Sequence, residues 1–84
     1  MKIRVKTKYL CDIRMRPDGT YSTLLFYNND KEAVLNTVDV ELVDEEASQL
    51  HTGIERTIII ELEDDGDYEA LKEFLGDDSE VTLA

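Results

Sequence analysis

Residues 1–16 alternate almost without interruption between apolar and charged side chains, and no other feature of the chain restricts its fold so strongly. Odd positions carry Met1, Ile3, Val5, Thr7, Tyr9, Cys11, Ile13 and Met15. Even positions carry Lys2, Arg4, Lys6, Lys8, Leu10, Asp12, Arg14 and Arg16. Successive side chains of a pleated strand point to opposite sides, so a period of two over this length means a half-buried β-strand with a wet, basic face. Pro17-Asp18-Gly19 follows with turn chemistry: proline presets φ, aspartate bonds its own backbone, and glycine takes the left-handed position. With Gly19 in a bulge, Arg16 faces Thr20, Met15 faces Tyr21, Ile13 faces Thr23, Cys11 faces Leu25 and Tyr9 faces Tyr27. The expectation is one long hairpin over residues 1–27 with the odd residues of both strands turned to the core.

The rest of the chain continues the sheet. Asn28-Asn29-Asp30-Lys31-Glu32 is a polar link of hairpin length. A third strand is expected over 33–43, with Val34, Val38, Val40 and Leu42 on one face and Asn36 as an interruption that marks a bulge or bend. Residues 44–51 read either as a short helix capped by Asp44 and closed by Gly53, or as a structured loop. A fourth strand over 54–62 places Ile54, Ile58, Ile60 and Leu62 on one face. Asp67 is the expected N-cap of a short helix through Leu75, with Gly76 beyond its end. Tyr68, Leu71, Phe74 and Leu75 form the stripe with which that helix lies on a sheet. Residues 80–83 are a candidate edge strand, reached by a crossover long enough to run parallel to the fourth. The fold class is therefore α+β: a single domain over 1–84, mainly an antiparallel sheet of four to five strands with one short helix packed on a face.

In this register the outer face also carries Leu10, Leu24, Phe26, Leu35 and Ile59, with Leu10 opposite Phe26 and Leu24 opposite Asp12. Clustered apolar side chains of this kind mark a covered surface. Either the helix or residues 44–51 cover them, or Leu10, Leu24 and Phe26 meet a second copy in a homodimer.

Charge narrows the function classes. Twenty acidic residues stand against nine basic ones, for a net charge of −11. The balance is lopsided: residues 1–16 hold six basic and one acidic group, residues 17–84 three basic and nineteen acidic. Such a field repels nucleic acid and anionic membrane and attracts basic partners. Charges break every apolar run near the start, which leaves no secretory h-region, and no run elsewhere approaches a membrane span. The single cysteine allows no internal disulfide. A cytoplasmic setting is expected.

Catalytic and metal signatures are weak. Glu61, Glu63, Asp65 and Asp67 fall at alternate positions around Gly66 as in half of a calcium loop. Its twelfth position, however, is Lys72 instead of a closing glutamate, and a strand precedes it where a helix should. Strand–turn–helix punctuation accounts for the same residues. Cys11 and His51 are each the only one of their kind, with Cys11 on the expected core face, where a thiol is inert. Neither a catalytic dyad nor a zinc site follows from them. No cofactor or metal, and no enzyme activity, is expected. The basic face of Lys2, Arg4, Lys6 and Lys8, with Tyr9, Phe26 and Tyr27 nearby, has the outline of a single-stranded nucleic-acid platform. The net charge opposes that use. Pairing with acidic neighbours across the sheet, or protection of an edge strand, explains the cations more simply.

The acidic surface remains. Alternate residues on a strand lie about 6.6 Å apart, so Asp39 with Glu41, and Glu61 with Glu63, make short rows of regularly spaced negative charge. Asp44, Glu45, Glu46, Asp64, Asp65 and Asp67 crowd the adjoining segments. A DNA strand carries a phosphate per roughly 3.4 Å of axis, and carboxylates held on a folded scaffold can present a comparable array to a cationic groove. Solubility in water is the plainer account of the same charges. In size and charge the chain resembles the small acidic proteins with which bacteriophages disable host nucleic-acid-binding proteins. These are DNA mimics aimed at histone-like nucleoid proteins, repair glycosylases, restriction enzymes or CRISPR effectors. Such mimics share no common fold or signature, so the resemblance transfers no residue by alignment. It implies a non-enzymatic inhibitor, often dimeric, that competes with DNA for a basic partner. An alternative is a small regulatory subunit docking through Leu10, Leu24 and Phe26.

Overall fold

A computed structural model describes residues 1–15, 22–43 and 54–84. Its elements are β1 (Lys2–Thr7), β2 (Leu10–Met15), β3 (Ser22–Asn28), β4 (Lys31–Leu42), β5 (Arg56–Leu62), α1 (Asp67–Leu75) and β6 (Glu80–Leu83). The strands form one sheet in the order β2-β3-β4-β5-β1-β6, with every adjacent pair antiparallel. The α+β class stands, but the sheet has six strands, because the opening alternation divides in two at Lys8–Tyr9. The Pro17-Asp18-Gly19 turn, the 44–51 segment and Gly53 lie outside the described residues. Among the described residues no helix is long and apolar enough to cross a membrane.

The connection between β1 and β2 dictates the shape of the sheet. Three strands stand between them in the order, which in a flat sheet means a separation of about 19 Å. Lys8 and Tyr9 alone bridge Thr7 to Leu10, a reach of at most about 11 Å. The sheet must therefore curl back on itself. β1 pairs with β5 and β6 while β2 pairs with β3, and Tyr27 N–H donates to Tyr9 O at 2.9 Å, carrying the β3 ladder up to the bend.

Curling changes which residues are inside. Along the opening strands the inward series runs Ile3, Val5, Thr7, Leu10 and the partly buried Ile13, a step of two that becomes a step of three at the bend and again at a bulge. The bulge falls between Leu10 and Asp12. Leu10 still pairs with Phe26, but Asp12 pairs with Leu25 and Ile13 with Leu24, one residue out of the register expected from the turn. Consequently Ser22, Leu24 and Phe26 face inward on β3, and the odd residues Leu25 and Tyr27 do not. For all of its residues but Ile59, the expected outer apolar face is thus overturned. Leu10 is 1% exposed, Leu24 and Phe26 0%, and Leu35 6%. These side chains are spent inside the core and offer no surface to a second copy or a docking partner.

β4 repeats the device. Its register shifts between Thr37 and Asp39, so that inward Thr37 is followed by partly buried Val40. The bulge sits at Val38, two residues beyond Asn36. Val34 and Val38 consequently lie outside, 61% and 44% exposed. Ile58, Ile60 and Leu62 of β5 complete the interior as expected, together with Val81 of β6. The inward hydroxyls are satisfied: Thr37 Oγ1 donates to Ser22 O at 3.1 Å, and Thr7 Oγ1 accepts from Tyr9 N at 3.1 Å.

α1 closes the core with Leu71 and Leu75, while Tyr68 and Phe74 pack at its margin. Asn28 Nδ2 donates to Phe74 O at 2.9 Å and ties the last turn to the β3–β4 hairpin. Asp67 is the first helical residue and not the cap; Gly66 occupies the N-cap position, without a side-chain cap bond. Asp64 Oδ1 accepts from Gly66 N at 2.9 Å instead, so the turn before the helix is held one step earlier than expected. At the other end Gly76 takes φ 78° and donates its N–H to Lys72 O at 3.2 Å, a left-handed exit that favours glycine. β6 runs parallel in direction to β5, as the crossover suggests, but β1 lies between them.

Candidate acidic surface

The two bulges and the curl decide where the carboxylates point. On β4 and β5, Asp39 pairs with Glu61 and Glu41 pairs with Ile59. With Ile60 and Leu62 buried, Glu61 is turned outward, and Asp39 and Glu41 are exposed. Glu63 follows Glu61 by two residues and continues the row off the end of β5. The chain then turns: Asp67 N–H donates to Asp64 O at 3.0 Å and Tyr68 N–H to Asp65 O at 3.2 Å. This tight wrap crowds Glu63, Asp64, Asp65 and Asp67 around an open concavity of about 820 Å³, whose remaining wall is Val34 and Asn36 of β4. Asp67 and Glu69 in the first turn of α1 sit where the helix dipole favours negative charge.

The expected acidic set is therefore drawn together in part. Asp39, Glu41, Glu61, Glu63, Asp64, Asp65 and Asp67 lie on the outer side of β4, β5 and the loop that follows. Asp44, Glu45 and Glu46 lie outside the described residues. Among the described residues, Asp65 is the one member of this group in an ion pair, at 3.2 Å from the N-terminal ammonium. Asp39 Oδ1 accepts from Val40 N–H at 3.0 Å. No three acidic, thiol or imidazole groups among the described residues are grouped so as to hold a metal ion.

The basic face of β1 borders this field. Lys2 pairs in register with Glu61, and Arg4 with Ile59. Lys6 Nζ lies 3.5 Å from Glu55 and Lys8 Nζ 3.4 Å from Asp78. These contacts fit the cross-sheet account of the cations. Edge protection does not apply, because β1 is flanked by β5 and β6. A stacking platform is excluded as drawn, since Phe26 is buried in the core. Cys11 stands at the β2 bulge, partly exposed instead of on the core face, with its thiol 3.6 Å from Tyr9 O. His51 lies outside the described residues.

A second polar cluster went unseen in the sequence. Lys8, Tyr9 and Thr7 at the β1–β2 bend meet Asp78 and Ser79 in the loop after α1. Tyr9 Oη donates to Asp78, Lys8 pairs with the same carboxylate, and Thr7 Oγ1 lies 2.8 Å from Ser79 Oγ. The hydrogen bond from Tyr9 holds the Asp78 carboxyl below its ordinary value, and the same bond raises Tyr9. Lys8 is raised chiefly by its bond to Asp78. Sequence separation near seventy residues hid this contact, which continues the β1–β6 pairing past Lys6 and Glu80, so that Thr7 falls beside Ser79 and Lys8 beside Asp78.

Comparison with known proteins gives no match to any family model, curated protein or solved structure.

Proposed function

We propose that the protein is a non-enzymatic acidic binder that occupies the cationic DNA-binding surface of a basic nucleic-acid-binding protein, in competition with DNA. The observation that carries this reading is the seven-carboxylate field on the outer side of β4, β5 and the β5–α1 turn. Carboxylates opposed across a strand pair are spaced about 5 Å at Cβ, and those two apart on one strand about 6.6 Å. Backbone hydrogen bonds set the spacing of the strand positions from which Asp39, Glu41 and Glu61 project. A lysine- or arginine-lined groove would meet it with charge-assisted bonds and little further ordering cost.

A bacterial histone-like nucleoid protein is a suitable first target, titrated by fluorescence anisotropy with labelled duplex DNA as competitor. The protein is expected to displace DNA, and displacement should weaken steeply between low and moderate salt, because exposed charges are screened. Replacing Asp39, Glu41, Glu61 and Glu63 by lysine should abolish binding while the circular dichroism spectrum stays native. Retained affinity in that variant removes these residues from the function. Binding that DNA does not disturb removes mimicry.

A further inference from the structure

Val34 is 61% exposed where β4 pairs with Leu25 of β3 and has run past its pairing with β5, and three adjoining concavities meet at it. One is the acidic basin of about 820 Å³ bounded by Asn36, Glu63, Asp64, Asp65 and Asp67. The second is an apolar slot of about 260 Å³ between β4 and α1, formed with Ala33, Leu35, Ala70, Leu71 and Phe74, which shares Asp67 with the basin. The third, about 210 Å³, lies over Leu25 and Thr23, with Glu32, Asp12 and its ion-pair partner Arg14 at the rim. An apolar slot thus opens directly beside an acidic basin, with Val34 and Asp67 common to both.

We infer that this junction reads a short basic peptide segment carrying one apolar anchor: a leucine-like side chain enters the slot while flanking lysines or arginines enter the basin. The inference rests on the proposed binding of a basic partner and specifies how a segment of that partner is recognised. Charge complementarity selects the occupant. Anionic ligands are repelled by the basin. A second copy of a chain of net charge −11 would bring its own carboxylates to it. The lysines of β1 and the bend after it that such a copy could offer include Lys6 and Lys8, already beside Glu55 and Asp78. The slot is smaller than the cavities that enclose drug-sized ligands and suits a single side chain. Solvation of the exposed Val34 methyls is relieved when an apolar group covers them. A purely polycationic strand would leave that gain unused, so the slot adds selectivity beyond net charge.

Two fluorescein-labelled peptides of equal charge test the inference, one with a leucine at the centre of four arginines and one with glycine in its place, titrated against the full chain by anisotropy. The leucine peptide is expected to bind about tenfold more tightly, as burial of one apolar side chain predicts. Val34→Thr, which keeps shape and β-propensity, and Ala70→Leu, which fills the slot from an exposed helical position, should erase the difference while leaving glycine-peptide binding intact. Asp64→Asn with Asp65→Asn and Asp67→Asn should weaken both peptides. Equal affinities for the two peptides, or a leucine preference that survives both slot variants, overturn the inference. If slot variants are silent while the triple Asn variant still loses the basic peptides, the inference fails and acidic binding stands. If the triple variant binds both peptides undiminished, the basin has no role and the inference fails, while the reading as an acidic binder still stands or falls on the lysine variant of Asp39, Glu41, Glu61 and Glu63.

Discussion

β1 and β2 follow one another, have six residues each and are separated by two, yet they hold their side chains in different surroundings. β1 lies between β5 and β6, and Ile3, Val5 and Thr7 are wholly buried. β2 has β3 as its single partner; Leu10 is buried, but Ile13 is only partly buried, and Arg14 reaches back to Asp12 on its own strand at 2.9 Å. Equal patterns thus give unequal burial. What differs is the number of neighbours and the step of three that turns the chain at Lys8–Tyr9 and at Cys11. Strand periodicity reports the local pleat, whereas burial depends on how the sheet closes.

The sharpest way to break this comparison is to truncate inward residues on either side of the bend. Leu10→Ala should lose about 2–5 kcal/mol and Phe26→Ala about 3–5 kcal/mol, since both leave cavities in a filled interior. Ile13→Ala, farther along β2 and only partly buried, should lose about 1 kcal/mol. Urea denaturation measures all three. If Phe26→Ala is no more costly than Ile13→Ala, the inward turn of β3 is wrong and the register fixed by the turn residues is right.

Much of the architecture was legible before the curl was known. β5 showed its inward face through Ile58, Ile60 and Leu62, and α1 its stripe through Leu71 and Leu75, because neither contains a bulge and local period equals final period. The strand order was not legible, since no local signal makes β1 choose β5 over β3. The faces of β2, β3 and β4 failed for a related reason. One extra residue at Cys11 and another at Val38 each reverse parity, and neither residue type advertises a bulge. The acidic field was legible as charge on alternate positions of β4 and β5. Its meeting with the apolar slot was not, because that depends on α1 lying beside Val34.

A smaller effect is expected where the bend is fastened. Thr7 Oγ1 is fully buried, accepts from Tyr9 N and contacts Ser79 Oγ at 2.8 Å. Thr7→Val keeps the volume and deletes the oxygen, leaving two polar groups to find other partners, at a cost of about 1–3 kcal/mol. Thr7→Ser should restore most of that loss. A neutral Thr7→Val would mean that apolar packing alone holds the strand in its turned path.

The exposed half of the same fastening should make the smallest difference, and pH separates it from packing. Asp78 has its folded value lowered from 3.8, so its contribution is present above that value and is lost as pH falls through the lowered one. Tyr9 is raised from 10.0 and Lys8 from 10.5. Their contributions are present below those values and vanish as pH rises through the raised ones. The cluster therefore stabilises most across the neutral range and fades in acid and in alkali. Asp78→Asn removes the carboxylate while its amide oxygen still accepts from Tyr9, so the charged part of the bond alone is deleted. The urea midpoint gap between wild type and Asp78→Asn should be widest near pH 7 and narrow both as pH falls below 3.8 and as it rises above 10.5. Other carboxylates titrate equally in both proteins and cancel in the difference. A gap that stays constant from pH 3 to pH 11 would show that Asp78 acts through shape, and that Thr7 with Ser79 alone fastens β1 and β2 at their bend.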